Sequence, residues 1–429
     1  MKTIKSILNN LLFSFLSRGF LLFVKILTTF LLAKFFDSSE FGLYIYSITL
    51  VLFFEILCGF GIYPLFYKRI SQNQSKYIFF NALLLCAISS VLIFILLQIY
   101  LYFNSNSNYF ILIASFSLLI NPFIFLFEKL FIANLRSSIV SLINIIISII
   151  LFSLKFYLLA LDFPLVTFVY FYVIDAFILL LIYLFLAFKF NLFVDSYLYL
   201  KTTYIKKIVS KSFPNLISAI AIIFYIRIDI LMLEKLMGDF EVISQYSLSA
   251  NITNGFAYII ASLGSITVPY FLKRNKNSIS INNKFSFLFL ISFLFSLIII
   301  IFILSFSNQI ISYVFSNKYP NFYSYLSLLI FCLPFISIGG LSAQLATVKN
   351  LENIIMFNTT FAALLNIVLN YIFIPHFGVY AAIVSSIFCY CYAAYLGYFF
   401  HKDGKQIFMT ITKIFNINTT KSLLNAISK

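Results

Sequence analysis

Lys25 and Arg227 place strongly basic groups near the middle of apolar stretches long enough to cross a bilayer. A charge near the bilayer centre costs about 2.5–3.5 kcal/mol on insertion scales, so it normally faces protein or a water-filled cavity and has a role there. Both groups are cations, which suits an anionic cargo. Lysine offers rotatable donors, and arginine a planar fork that matches phosphate oxygens. Arg18 precedes Lys25 by seven residues, which at helical spacing sets it within about 20° of the same stripe, with Ser14 on that stripe too. By helix rise, Lys25 lies about 16 Å and Arg18 about 27 Å below the outer end of the helix. Arg18 either joins Lys25 in a cationic cavity or snorkels to the cytoplasmic interface.

Acidic partners are fewer. Glu55 falls within about 5 Å of the depth of Lys25 by helix rise, so it either neutralises that lysine or serves as a proton-coupling carboxylate. Asp229 follows Arg227 by two residues, about 200° around the helix, so the two cannot share a face. Which of those faces lines a cavity is left open by the sequence. Asp175 is a further candidate for pairing or coupling, with a donor still to be found, whereas Lys155, near the outer end of its helix, is expected to snorkel outward. Asn144, Asn366 and Asn370 carry amides inside helices, where they bond between helices or meet sugar hydroxyls. Cys58, Cys86, Cys332, Cys389 and Cys391 all lie within apolar spans, C-Y-C lacks the usual zinc spacing, and His376 and His401 form no cluster. No metal or other cofactor is expected.

The elements that must hold these groups follow from composition. Hydrophobic residues make up 62% of the 429 residues and charged ones 10%. With a mean hydropathy of +1.04, the chain needs lipid as its solvent. Apolar runs of helix-spanning length, too long for transmembrane strands, predict twelve spans: 11–36, 41–66, 77–102, 109–127, 138–160, 165–188, 212–236, 241–271, 285–307, 321–346, 353–374 and 378–400. The first is too long for the core of a cleavable signal and no A-x-A-like site follows before Phe41, so it is expected to stay as an anchor.

The formal charge of +16 is distributed in alternate connections. Lys68, Arg69 and Lys76, then Lys129 and Arg136, then Lys189 to Lys211, then Lys273 to Lys284 lie on one side. The opposite connections hold Lys34, Lys235 and Lys318 with most of the loop acids. The positive-inside rule therefore predicts both termini in the cytoplasm. The basic loops read as topology signals and anionic-lipid contacts rather than nucleic-acid sites.

The polar connection near 189–211 divides the chain into expected six-helix lobes, 1–200 and 201–400, followed by a tail, 401–429. Sliding span 7 onto span 1 by 202 residues aligns Ile26, Leu31, Asp37, Tyr44 and Ser47 with Ile228, Leu233, Asp239, Tyr246 and Ser249, and Lys25 with Arg227. Equal topology makes the halves candidate parallel repeats about an axis along the membrane normal. In the tail, Ile407, Phe408, Ile411, Ile414 and Phe415 are spaced among lysines, as in an interfacial helix, a disordered tail being the alternative.

The segment ALLNIVLNYIFIPHFGVYAAIVSS, with Asn366, Asn370, Pro375, Gly378, Ala381 and Ala382, is similar to the N-x-x-L-N…I-P-x-x-G…A-A pattern of one transporter group. So are SRGFLLFVKILTTFLLAKFFDSSEFGLY in the first hairpin and SFPNLISAIAIIFYIRIDILMLEKLMGDFEVISQYSLSANI in the seventh and eighth spans. They resemble the polysaccharide transporter branch of the multidrug/oligosaccharidyl-lipid/polysaccharide exporter superfamily, whose bacterial members include the Wzx flippases. Tyr380 stands where that pattern commonly has a small residue. The resemblance implies an all-α, V-shaped, alternating-access carrier of twelve helices in two six-helix bundles in the bacterial cytoplasmic membrane. Its cargo would be an O-antigen, capsule or related oligosaccharide on polyprenyl pyrophosphate, moved to the outer leaflet. Glycan polymerase and chain-length machinery would be its partners.

Two other functions compete. An ion-coupled drug or metabolite antiporter of the same superfamily would use Glu55 or Asp229 as its ion site, but mid-span cations fit cationic drugs poorly. A membrane polysaccharide polymerase or ligase commonly carries a sizeable outer catalytic loop. Here the longest expected outer connection, 308–320, is short, and no nucleophile–base pair, P-loop or metal cluster is evident. The sequence reads as a non-enzyme.

Overall fold

The computed structural model describes residues 2–71, 78–103, 109–134, 136–192, 202–274, 278–315 and 318–415, which are helical with no strand among them. Lipid supplies no hydrogen-bond partners, so a spanning backbone must satisfy its own polar groups, and an apolar chain does so as helix. The chain forms two compact units, Met1–Phe224 and Tyr225–Lys429.

The first unit contains α1 (Lys2–Phe35), α2 (Ser38–Glu55), α3 (Tyr63–Ser71), α4 (Ile78–Phe103), α5 (Tyr109–Ser115), α6 (Asn121–Ala133), α7 (Ser137–Ala160), α8 (Leu165–Lys189) and the start of α9 (Thr202–Met237). One core joins Phe66, Phe79, Phe127, Phe131 and Tyr183. The expected span 41–66 is broken. After α2 the chain turns through Gly59, Phe60 and Gly61, all in the left-handed region, before α3 begins. The G-F-G run permits this turn because glycine adopts positive φ without a Cβ penalty. The amide of Gly59 donates to Ser89 Oγ on α4 at 2.8 Å, replacing a helical bond that the break forfeits.

The second unit contains the rest of α9 and α10 (Phe240–Arg274), α11 (Ser278–Phe315), α12 (Phe322–Leu329), α13 (Leu333–Val348), α14 (Glu352–Phe377), α15 (Val379–Cys391), α16 (Gly397–Phe399) and α17 (Lys405–Thr412). Its core gathers Phe285, Phe289, Leu345 and Tyr398 with Ile407, Ile411 and Ile414. Ile407, Phe408, Ile411 and Ile414 of the tail thus pack onto protein, and the side chain of Phe415 lies outside the described ones. Helix α11 continues to Phe315, so most of the stretch expected as an outer connection is helical. His376 likewise lies in the last turn of α14 rather than in a turn.

Both units repeat two local designs. Helix α1 ends at Phe35 and α2 starts at Ser38, while α9 ends at Met237 and α10 starts at Phe240, each boundary 202 residues later. Asp37 and Asp239 stand at the equivalent starts, and Asp239 Oδ1 accepts the amides of Glu241 and Val242 at 2.9 and 3.3 Å. Helices α5 and α6 are joined through a 3₁₀ turn with Pro122 opening the second helix, and α12 and α13 repeat the device with Pro334. Proline fits the first turn of a helix because its missing N–H would have had no intrahelical partner.

Nine helical stretches among the described residues are long and apolar enough to cross a membrane, from Ile78–Phe103 to Val379–Phe399. The chain is a multi-pass membrane protein. The other three expected spans, 11–36, 41–66 and 241–271, are occupied by α1, by α2 with α3, and by α10.

Candidate functional site

Asp229 is the best-enclosed carboxylate among the described residues of the second unit, 1% exposed. It projects from α9 among α10, α14 and α15. Its Oδ2 accepts the Tyr246 hydroxyl at 2.5 Å and the Ser386 hydroxyl at 2.6 Å. Its Oδ1 accepts the Asn370 amide at 2.7 Å, and that amide also donates to Asn366 Oδ1 at 2.6 Å. Asn366 and Asn370 are four residues apart, so one face of α14 presents both. Asn366 Nδ2 and Asn370 Oδ1 are buried there with no protein partner. A cavity of about 10 Å³ borders Asp229, Tyr246, Thr253, Asn254, Ser386 and Tyr390. That is about the volume of one water-sized sphere, so the cavity suits a proton, a water or a small ion rather than an organic cargo.

The burial of Asp229 settles which flank of α9 faces the core of the second unit. Arg227, about 200° away, stands on another flank and is half-buried.

Glu55 is the corresponding buried acid of the first unit, 8% exposed at the end of α2. Its Oε2 accepts the Asn121 side-chain amide at 2.9 Å. Asn121 opens α6, immediately before Pro122, so the break between α5 and α6 delivers this donor. Lys25, exposed on α1, is near enough for its charge to act on Glu55. The side chain of Arg18 lies outside the described ones.

Lys155, Asp175 and Asn144 make their bonds between α7 and α8. Lys155 does not snorkel away: its Nζ bonds Asp175 Oδ2 across the α7–α8 pair, with side chains 17% and 27% exposed. An apolar setting favours this pairing because each charge offsets the desolvation of the other. Asn144 Oδ1 accepts the Tyr183 hydroxyl at 2.9 Å between the same helices. Among the described residues, no group of three His, Cys, Asp or Glu side chains is placed to hold a metal.

The sequence profile described as "Polysaccharide biosynthesis protein" matches residues 7–275. The chain belongs to the polysaccharide biosynthesis protein family. The match takes in Glu55, Asn121, Asp229 and Tyr246, whereas Asn366, Asn370 and Ser386 lie beyond it.

Solved structures with the same fold include the lipid II flippase MurJ in an inward closed conformation, at TM-score 0.71 and 16% identity over 95% of this chain and 92% of that one. A MOP superfamily transporter from Pyrococcus furiosus, described as having a binding pocket of reverse polarity, gives TM-score 0.63 at 15% identity over 95% and 96%. An outward-facing multidrug resistance MATE transporter gives 0.64 at 16% over 95% and 96%. At these identities the likeness is one of fold, and the fold of this family member is that of the MOP superfamily. No curated protein sequence matches the chain.

Asn121, Tyr246 and Ser386 escaped sequence reasoning as site residues. Two of them had a visible signal. Tyr246 aligns with Tyr44 in the 202-residue offset, and Asn121 forms an Asn-Pro pair, a dipeptide that marks a break. Ser386 is one serine among many in apolar helices and carries no such mark.

Proposed function

We propose that this family member is a flippase that carries a polyprenyl-pyrophosphate-linked oligosaccharide, of the O-antigen or capsule kind, from the cytoplasmic to the outer leaflet of the bacterial cytoplasmic membrane. The observation that carries this reading is the coincidence of a polysaccharide biosynthesis family match with a fold shared, over 95% of the chain, with a lipid II flippase. The chain crosses the membrane twelve times with both termini inside, six spans from each half. Lys25, Arg227 and Arg18 grip the diphosphate, since cations within apolar spans favour an anionic cargo. Asp229 supplies the coupling carboxylate, and no covalent bond is made or broken.

A second reading, an ion-coupled antiporter of small molecules, is favoured by the Asp229 site, whose neutral donors and small cavity suit a proton or ion. One experiment separates the two. The chain is expressed in cells lacking their own flippase, and lipid-linked intermediate is measured on each leaflet together with surface glycan. Restored glycan is the expected result. Failure with every anionic and neutral repeat unit tried, alongside ion-driven efflux of a small molecule, would sink the flippase reading.

A further inference from the structure

A groove of about 510 Å³ lies within the first unit, walled by five phenylalanines and three leucines of α4, α6 and α8, with no polar atom at its surface. Its volume falls within the roughly 300–1,000 Å³ of ligand sites. Phe79, Phe123, Phe127, Leu83, Leu184 and Phe188 are among the walls, and Phe188, 66% exposed, marks its open side. The rings stand at angles, Phe79 to Phe80 at 80° and Phe79 to Phe127 at 62°, giving a ribbed wall. Rings set this way present large apolar faces and edges to a hydrocarbon chain lying along them.

The groove reaches the first turn of α4 at Phe79 and Phe80 and the last turn of α8 at Phe188, and basic residues stand at the ends of these and the adjoining helices. Lys68 and Arg69 end α3, Lys129 lies on α6, Arg136 starts α7 and Lys189 ends α8. Glu128 is the acid among the described residues of these helix ends. The Arg136 guanidinium lies 4.0 Å above the ring of Phe190, which directly follows Lys189. An aromatic, carbon-only groove ending in cations is complementary to a chain with an apolar body and a multiply charged anionic head.

We infer that this groove holds the isoprenoid tail of a lipid-linked diphosphate, and that the basic helix ends at its mouth receive the diphosphate on entry, before Arg18, Lys25 and Arg227 take it over. The inference rests on the flippase reading for its cargo, and it adds a tail site separate from Lys25, Arg227 and Asp229.

The test uses the full chain in phosphatidylcholine nanodiscs and a photoreactive isoprenyl diphosphate. Cross-links are expected on α4, α6 and α8 around Phe80, Phe123 and Leu184, displaced by polyprenyl phosphate but not by an equal concentration of phosphatidylglycerol. The matching isoprenyl alcohol should label at least fivefold less, as should the diphosphate probe on Leu184→Trp. Leu83→Trp, on a different helix, repeats the blockade, and only variants that elute as the parent protein are scored. Equal displacement by phosphatidylglycerol, or labelling unchanged in both tryptophan variants, would overturn the inference. The outcome is separable from the flippase reading. Labelling without restored glycan leaves the groove and removes the flippase, and restored glycan without labelling does the reverse.

Discussion

Asp229 of α9 is held by Asn370 of α14 at 2.7 Å, a bond between residues 141 positions apart in the chain. Two hydroxyls complete the shell, from Tyr246 on α10 and Ser386 on α15. One carboxylate thereby ties four helices of the second unit together.

Replacing that carboxylate should separate structure from coupling. Asp229→Ala orphans donors whose isolation costs about 1–3 kcal/mol each, so thermal stability in detergent should fall clearly. Asp229→Asn keeps the shape and is expected at near-normal abundance with ion-gradient-driven transport reduced at least tenfold. Gradient-driven transport above half the parent rate in Asp229→Asn would remove Asp229 from coupling.

Lys25→Ala and Arg227→Ala, compared at equal membrane abundance, should each lower translocation of lipid-linked oligosaccharide at least tenfold. Lys25→Arg should retain most of it, because the charge is kept. Full transport in both alanine variants would show that these cations do not grip the cargo.

The Lys155–Asp175 pair predicts a double-mutant cycle with a marked coupling term. Because its side chains are 17% and 27% exposed, Asp175→Asn should destabilise by about 1–3 kcal/mol, between the values for surface and buried pairs. Lys155→Met with Asp175→Leu should return stability to within about 1 kcal/mol of the parent, since neither charge is then left alone in an apolar setting. Additive losses in the double variant would refute the pairing.

Gly61 and Gly238 share a left-handed backbone, with φ of 68° and 67°. A Cβ at Gly61 would stand 2.6 Å from the Leu216 amide nitrogen and 2.8 Å from the Ser212 carbonyl oxygen, whereas nothing lies within 4 Å at Gly238. Alanine at either site therefore meets the left-handed penalty of about 1–2 kcal/mol, and only Gly61→Ala adds a clash with helix backbone, about 1–3 kcal/mol more. Thermal unfolding of the two variants should differ accordingly. Equal losses would mean that the α2–α3 turn does not press on α9.

The sequence by itself determined the membrane class, the helical secondary structure, the position of most apolar helices and the resemblance to polysaccharide transporters. Hydropathy, helical periodicity and a local motif are properties of neighbouring residues, so they are visible along the chain. It also located the 202-residue repeat, whose helix boundaries recur in register. Tertiary structure alone decided the flank of α9, because Arg227 and Asp229 point to different sides and only the packing of α10, α14 and α15 selects one. It decided as well that Glu55 meets Asn121, 66 residues away, and that Lys155 turns to Asp175. A buried polar group must find its partner in three dimensions, and sequence spacing does not encode which distant helix brings it.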